Sequence, residues 1–155
     1  SFSSMRALIR RVLCASVKVD SQTVGQIGQG LAIYVGFHMT DIDEDLHWMS
    51  KKLLGLRIFE DDTNKMNYSV SDKKFDLLII SQFTLFGSLK KGFRPSFNQA
   101  ASTEVAYRKY YEFIKIINSQ FIGHIAEGEF GKDMQISSID DGPVSIWLDS
   151  RNKSY

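Results

Sequence analysis

The sequence predicts a single α+β domain with a mostly antiparallel sheet and two main helices. Three observations point there. A long run rich in β-branched residues opens the chain and resumes after a short polar turn. Only two segments place apolar residues at helical spacing, and the remaining apolar runs are short and bounded by turn residues. At 155 residues the chain suits one domain and can bury most of its apolar surface without disulfides or metal. Residues 1–4 precede a Met5-Arg6 pair that reads as a natural start, so they are expected to be a short extension. The domain is expected over 5–150 and a C-terminal tail over 151–155.

In chain order, Met5 to Val19 reads as a strand, and Gln22 to Ile27 as its hairpin partner after a turn at Asp20-Ser21. Gly25, Gly28 and Gly30 have the look of a phosphate loop. Their order is GxxGxG, however, and LAIYVGF follows as strand where a dinucleotide fingerprint needs a helix, so the hairpin reading wins. The first helix is expected from Asp41 as cap, with Glu44 completing a capping box, Leu46, Met49 and Leu53 as the apolar stripe, and Gly55 as the stop. LRIF at 56–59 reads as a short strand. A turn-rich EDDTNKMN segment follows, then an apolar strand beginning near Phe75. The second helix is expected after Ser102 as cap, with Val105, Ala106, Tyr110, Phe113, Ile117 and Phe121 facing the core. MQISSIDDGPVSIWLDS reads as two strands about a turn. Two helices cannot cover both faces of so many strands, so an apolar face left over would pair with a second copy and make a homodimer.

Composition excludes several classes. With 43% hydrophobic and 24% charged residues and only 2 prolines, the chain is neither disordered nor fibrous. A net charge of +1 provides no global field for nucleic acid, so such a partner would need a local basic patch. The lone Cys14 has no partner for a disulfide and no ligand spacing, and is expected to be a buried structural thiol. No window reaches the roughly 20 apolar residues of a membrane span. Without a long apolar N-terminal core either, a cytoplasmic protein is expected.

For chemistry, His38, His47 and His124 lack any metal-binding spacing, and Asp61-Asp62 and Asp140-Asp141 sit in turn-like sequence that itself favours Asp. Two places are unusual. SQFTL, residues 81–85, puts polar groups on both faces of the run from Leu77 to Phe86 if that run is one strand. Buried and unpartnered, such a group costs about 1–3 kcal/mol, so the stretch is either an edge strand turning into solvent or the floor of a pocket. In DDGPVS, residues 140–145, Asp141-Gly142 signals a hairpin but Pro143 follows at once. It either opens a strand or forms a cis Gly-Pro bond whose flanking carbonyls make an acceptor pair suited to an ammonium group.

On MRALIRRV (5–12), GLRIFED (55–61), SQFTLF (81–86), KGFRPSF (91–97), FGKDMQ (130–135) and DDGPVSIWLDS (140–150), the chain resembles the D-aminoacyl-tRNA deacylases, also called D-tyrosyl-tRNA deacylases. The resemblance implies a barrel-like core and a homodimer in which the Gly-Pro loop of one subunit enters the partner's active site beside SQFTL. It implies hydrolysis of the ester joining a D-amino acid to the terminal adenosine of tRNA, with no metal or cofactor. Ser81, Gln82, Phe83 and Thr84 would then position the ester and stabilise the oxyanion, with the RNA's own 2′-hydroxyl assisting and Thr84 as nucleophile a minority alternative. Carbonyls of Gly142 and Pro143 would hold the α-ammonium, so that an L side chain collides with the loop while D-residues and glycine fit. Phe130, Gly131 and Met134 match the segment lining the adenosine pocket, and Arg11 would brace the Gly-Pro loop. Lys90, Lys91 and Arg94 form the local basic cluster, expected to meet tRNA phosphates, although the same cluster also fits a solvated loop. Rival readings are a nucleic-acid-binding dimer without hydrolysis and a dimeric scaffold. Arg10, Asp140 and Ser145 depart from the family's usual glutamine, asparagine and threonine, and Asp140 brings a carboxylate close to the expected ammonium site.

Overall fold

The computed structural model describes residues 5–154; the expected extension at 1–4 lies outside the described residues. Among the described residues, eight strands and three helices follow in the order β1 (Arg6–Val19), β2 (Gln22–Ile27), β3 (Gly30–Gly36), α1 (Asp43–Gly55), β4 (Phe59–Glu60), β5 (Met66–Tyr68), α2 (Val70–Lys73), β6 (Asp76–Ser81), α3 (Thr103–Gln120), β7 (Ile125–Glu127) and β8 (Gln135–Asp149). The main sheet runs β2-β1-β3-β6-β7, with β8 also on β1, while β4 and β5 form a separate small hairpin. Strand β2 comes round to lie against β7, so the sheet nearly closes into a barrel. Closure depends on Gly25: a Cβ there would sit 2.6 Å from the Glu127 carbonyl oxygen. That close approach, with no phosphate site, accounts for one glycine of the GxxGxG pattern.

The sheet is more mixed than the sequence suggests. β1 pairs antiparallel with β2, β3 and β8, but β3–β6 and β6–β7 are parallel, each joined by a crossover through a helical segment. One face packs on α1 and α3 in a core that includes Ile9, Leu31, Ile33, Leu77, Ile79, Phe113 and Ile117. The other carries a smaller cluster of Val12, Ala32, Leu78 and Ile80, with Tyr34, Met134 and Ile136 at its margin. Register decides which side chains go where: Arg11 pairs with Leu31 and faces the helices, whereas Arg10 pairs with Ala32 and faces away.

Several expectations need correction. Asp41 does not cap α1, because its carboxylate accepts from the His38 N–H at 2.7 Å and closes the preceding turn. The helix begins at Asp43 instead, and Asp45 reaches back to the Ile42 N–H at 2.9 Å. The expected strand at 56–59 is paired only at Phe59–Glu60, β5 begins at the end of the turn-rich segment, and the short α2 follows it. The run from Leu77 to Phe86 is not one strand: β6 stops at Ser81 and Phe83–Phe86 form a 3-10 turn. Residues 135–149 make one strand, because the chain beyond Pro143 returns to β1 and does not fold back on residues 135–139. Cys14 is only half-buried. Arg151 pairs with Asp45 at 3.3 Å and the Lys153 ammonium lies 5.3 Å from the Trp48 ring, so both residues lie against α1. For α3 the expectation matches: Ser102 caps it, accepting from the Val105 N–H at 3.4 Å, and Ala106, Tyr110, Phe113 and Ile117 are buried.

Candidate active site

The polar cluster at 81–84 exists because β6 leaves its ladder there. The Gln82 N–H still bonds the Val35 carbonyl at 2.7 Å, after which the chain rolls into the 3-10 turn. Its first amides, Phe83 and Thr84, have no acceptor within such a turn. Arg6 pins the far end by donating to the Leu85 carbonyl at 3.0 Å while its guanidinium lies 4.7 Å from the Phe86 ring centroid. On the outer side the turn borders a cavity of about 720 Å³ whose lining includes Ser81, Gln82, Phe83 and Thr84. Tyr34 and Ile80 contribute its floor, and Phe130, Gly131 and Met134 form a wall.

That wall is shaped by packing and backbone. The Phe130 ring lies 5.4 Å from Tyr107 and 5.8 Å from Tyr110, both on α3. Gly131 has φ +76°, a conformation L side chains rarely adopt, and this turns the chain past the cavity. Met134 rests against Gly128, where a Cβ would meet its sulfur at 2.5 Å. The polar groups of the floor are sparsely matched: the Gln82 amide donates to the Thr84 hydroxyl at 2.9 Å, and this pair is exposed. The charged residues of the lining are Lys132 and Asp133, so no histidine stands ready to activate Thr84. His38 in particular is committed, with one ring nitrogen 2.8 Å from the Gln99 amide oxygen and the other 2.9 Å from the Thr40 hydroxyl. Burial pushes the Tyr34 phenol above its usual range, although the Arg10 charge opposes this. Among the described residues, no group of His, Cys, Asp and Glu could hold a metal ion.

Gly142 and Pro143 lie outside this cavity. In β8, Asp140 pairs with Val12 and Ser145 with Arg10, so Asp141–Val144 stand opposite Arg11 alone and form a crook in the strand. Its Gly142–Pro143 peptide bond is cis, and Gly142 has φ +121°. The buried Arg11 holds the crook from within. It donates to the Asp141 carbonyl at 3.2 Å and to the Ile58 carbonyl at 2.6 Å, and pairs with the Asp141 carboxylate at 3.2 Å. Both donor bonds are charge-assisted, which makes the brace stiff. From the opposite face of β1, Arg10 pairs with Asp140 at 3.2 Å, and Ser138 donates to the same carboxylate at 3.0 Å. Arg10, Asp140 and Ser145, the three departures from the family pattern, are therefore neighbours, and the charge of Asp140 is met by that of Arg10.

Lys90, Lys91 and Arg94 are exposed on a loop rooted at the 3-10 turn and closed by a Ser88–Ser96 bridge, outside the cavity. Within one chain, then, Ser81–Thr84 come together with Phe130, Gly131 and Met134, while the crook and the basic loop stand apart. Sequence reasoning missed Tyr34, Lys132 and Asp133 in the lining and Arg6 behind the turn. Tyr34 did leave a signal, as the one hydroxyl-bearing residue inside the apolar LAIYVGF.

Comparison with known proteins agrees with this architecture. The family model described as D-Tyr-tRNA(Tyr) deacylase matches residues 8–149. A D-aminoacyl-tRNA deacylase of Chloroherpeton thalassium is 46% identical over 149 residues, covering 96% of this chain and 98% of that protein. One from Clostridium botulinum (strain Loch Maree / Type A3) is 44% identical over 147 residues, 95% of this chain and 98% of that protein. Among solved structures, the c-Myc DNA Unwinding Element Binding Protein superposes with a TM-score of 0.88 at 37% identity, over 92% of this chain and 97% of that one. A probable eukaryotic D-amino acid tRNA deacylase superposes with a TM-score of 0.82 at 20% identity, over 94% and 99% of the two chains, and so speaks to the fold alone. With its sequence matched almost from end to end, and its polar turn, aromatic wall and Gly-Pro crook in place, the chain belongs to the D-Tyr-tRNA(Tyr) deacylase family.

Proposed function

We propose that this protein hydrolyses the ester of D-aminoacyl-tRNA, releasing the D-amino acid and the tRNA, as a chiral check on translation in the cytoplasm. The observation that carries this reading is the cavity, in which an aromatic wall at Phe130 faces the polar turn at Ser81–Thr84 in a chain whose relatives bear that name. Terminal adenosine fits against Phe130, Gly131 and Met134, because an unpaired base takes stacking and apolar contact. Ser81, Gln82, Phe83 and Thr84 position the ester, and amides at the head of the turn face the developing oxyanion. The Thr84 hydroxyl accepts from the Gln82 amide, and no histidine is among the lining residues, which favours an orienting role for it over a nucleophilic one.

The cavity lacks the ammonium-binding half of the expected site. Gly142 and Pro143 project on the crook of the same chain, a placement that supports a homodimer in which each crook completes the partner's cavity. Once the α-ammonium is held on carbonyls of Gly142 and Pro143, only one hand of the amino acid sends its side chain away from the loop. Glycine has no side chain to exclude, so glycyl-tRNA is a second substrate class. Lys90, Lys91 and Arg94 supply phosphate contacts. Parallel single-turnover assays on D-tyrosyl-tRNA and L-tyrosyl-tRNA test the whole reading. Rapid loss of the D ester with the L ester spared is expected. Salt-dependent RNA binding without loss of either ester would replace the hydrolase by a binding dimer, and loss of both would remove the chiral filter.

A further inference from the structure

The loop from Ser88 to Ser96 carries a feature that the hydrolytic reading leaves unused. Its root is sealed by two backbone hydrogen bonds between Ser88 and Ser96, at 2.7 and 2.9 Å. It also packs on the cavity's polar turn: the Phe97 ring meets Phe83 edge-on at 5.0 Å, and a Cβ on Gly87 would lie 3.2 Å from both Phe97 and the Thr84 carbonyl. At its tip, beside Gly92 with φ +130°, the Phe93 side chain is fully exposed at 102%. It stands between Lys91 and Arg94, and none of Lys90, Lys91 or Arg94 joins an ion pair among the described residues. No Asp or Glu occurs between Asp76 and Glu104. Among the other exposed aromatic residues, Tyr111, which packs on Tyr107, is near Glu127 and Glu129, a less favourable setting for a polyanion.

We propose that this loop is a second RNA subsite, in which Phe93 stacks on an unpaired base of the single-stranded 3′ end while the flanking cations neutralise its phosphates. An exposed ring among cations suits single-stranded nucleic acid, since every base offers a π-face and every nucleotide a negative charge. Phe93 is three residues from Ser96, so the tip lies within about 11 Å of the loop's root, which adjoins the polar turn through Phe97 and Phe83. In this proposal, a strand whose terminal nucleotide enters the cavity runs past the ring. The proposal rests on the RNA reading of the cavity for its orientation, but its test does not require hydrolysis.

The test is equilibrium binding of two uncharged RNA hairpins, one with a four-nucleotide 3′ overhang and one blunt, to the wild type, Phe93→Ser, Phe93→Trp and the pair Lys90→Ala/Lys91→Ala, over a range of salt. Phe93→Ser is expected to weaken binding of the overhang hairpin roughly tenfold, with the salt slope unchanged and blunt-hairpin binding intact. Phe93→Trp should retain the affinity. The double lysine variant should weaken both hairpins and lower the salt slope by about two. Because Phe93 packs against nothing, its variants should keep the wild-type melting temperature. The proposal is overturned if the wild type binds neither hairpin, if Phe93→Ser binds the overhang as the wild type does, or if it weakens both hairpins equally. It is also overturned if Phe93→Ser loses binding to anionic phospholipid vesicles but not to RNA, which would make the tip a membrane contact. If the wild type spares D esters yet shows the expected binding pattern, the hydrolytic reading falls and this one stands.

Discussion

Two strands leave their ladders in this molecule, and they do so differently. Where β8 bends at Asp141–Val144, the buried Arg11 guanidinium bridges the Asp141 and Ile58 carbonyls. Where β6 ends at Ser81, the Gln82 and Thr84 side chains bond each other at the edge of an open cavity. The crook is thus held by the protein's own interior, and the turn is left with donors to spare. Polar residues at a strand end carry different meanings in the two cases: the first set is structural bracing, and the second borders open space, where we propose that it meets the ester. Substitutions should separate them, with stability falling at the crook and almost unchanged at the turn.

The largest expected effect is that of Arg11→Ala. Removing a buried cation that serves two carbonyls and two carboxylates should cost about 3 kcal/mol, read by urea denaturation. Arg11→Lys should recover less than half, because an ammonium cannot span the same fork of acceptors. A loss under about 1 kcal/mol would mean that the crook does not depend on its brace. Next comes Gly142→Ala, whose Cβ would lie 3.0 Å from both the Arg11 guanidinium and a Val144 methyl at a φ of +121°. About 1–2 kcal/mol of stability should be lost. D-ester turnover should fall with it, since the added methyl stands beside the carbonyls proposed to hold the ammonium.

At the turn, Thr84→Ala should leave the denaturation midpoint almost unchanged, within about 0.5 kcal/mol, because the hydroxyl is exposed. Single-turnover D-ester hydrolysis should slow yet persist. Complete loss of turnover would instead make Thr84 the nucleophile. The smallest effect is expected from Arg10→Gln with Asp140→Asn. Their side chains are 42% and 34% exposed, and an ion pair so placed is worth less than about 1 kcal/mol. The double variant should match the wild type in stability and in preference for the D ester. A changed D-to-L ratio would show that the outer face of the crook also sets the filter.

Legibility in the sequence followed the same division. Helix α3 could be read to its cap because Ser102 and the spacing of Ala106, Tyr110, Phe113 and Ile117 are local signals. The start of α1 was misplaced because two aspartates competed, and a local bond from the His38 N–H gave Asp41 to the turn before it. The single course of β8 could not be read at all: DG followed by P is a turn signal, and only the long-range pairing of Ser145 with Arg10 carries the chain onward. Parallel pairing of β3 with β6 is equally non-local. At the site, SQFTL announced itself by breaking an apolar run, and Gly142-Pro143 by its turn chemistry. Tyr34, Lys132 and Asp133 were missed because their place in the lining comes from strand register and the turn at Gly131. The opposed directions of Arg10 and Arg11 were likewise hidden, since adjacent residues look alike until the strand's two faces are known.

The crook begins and ends on the same neighbouring strand, so the ladder on either side of Asp141–Val144 is fixed independently of what lies between. A residue could be inserted or removed there and the flanking pairs, Asp140 with Val12 and Ser145 with Arg10, would still face the same sides of the sheet. In most strands a change of one residue inverts every side chain beyond it. Here the crook can vary in length and sequence while the scaffold keeps its register, so the chiral filter proposed for it could change without renegotiating the fold.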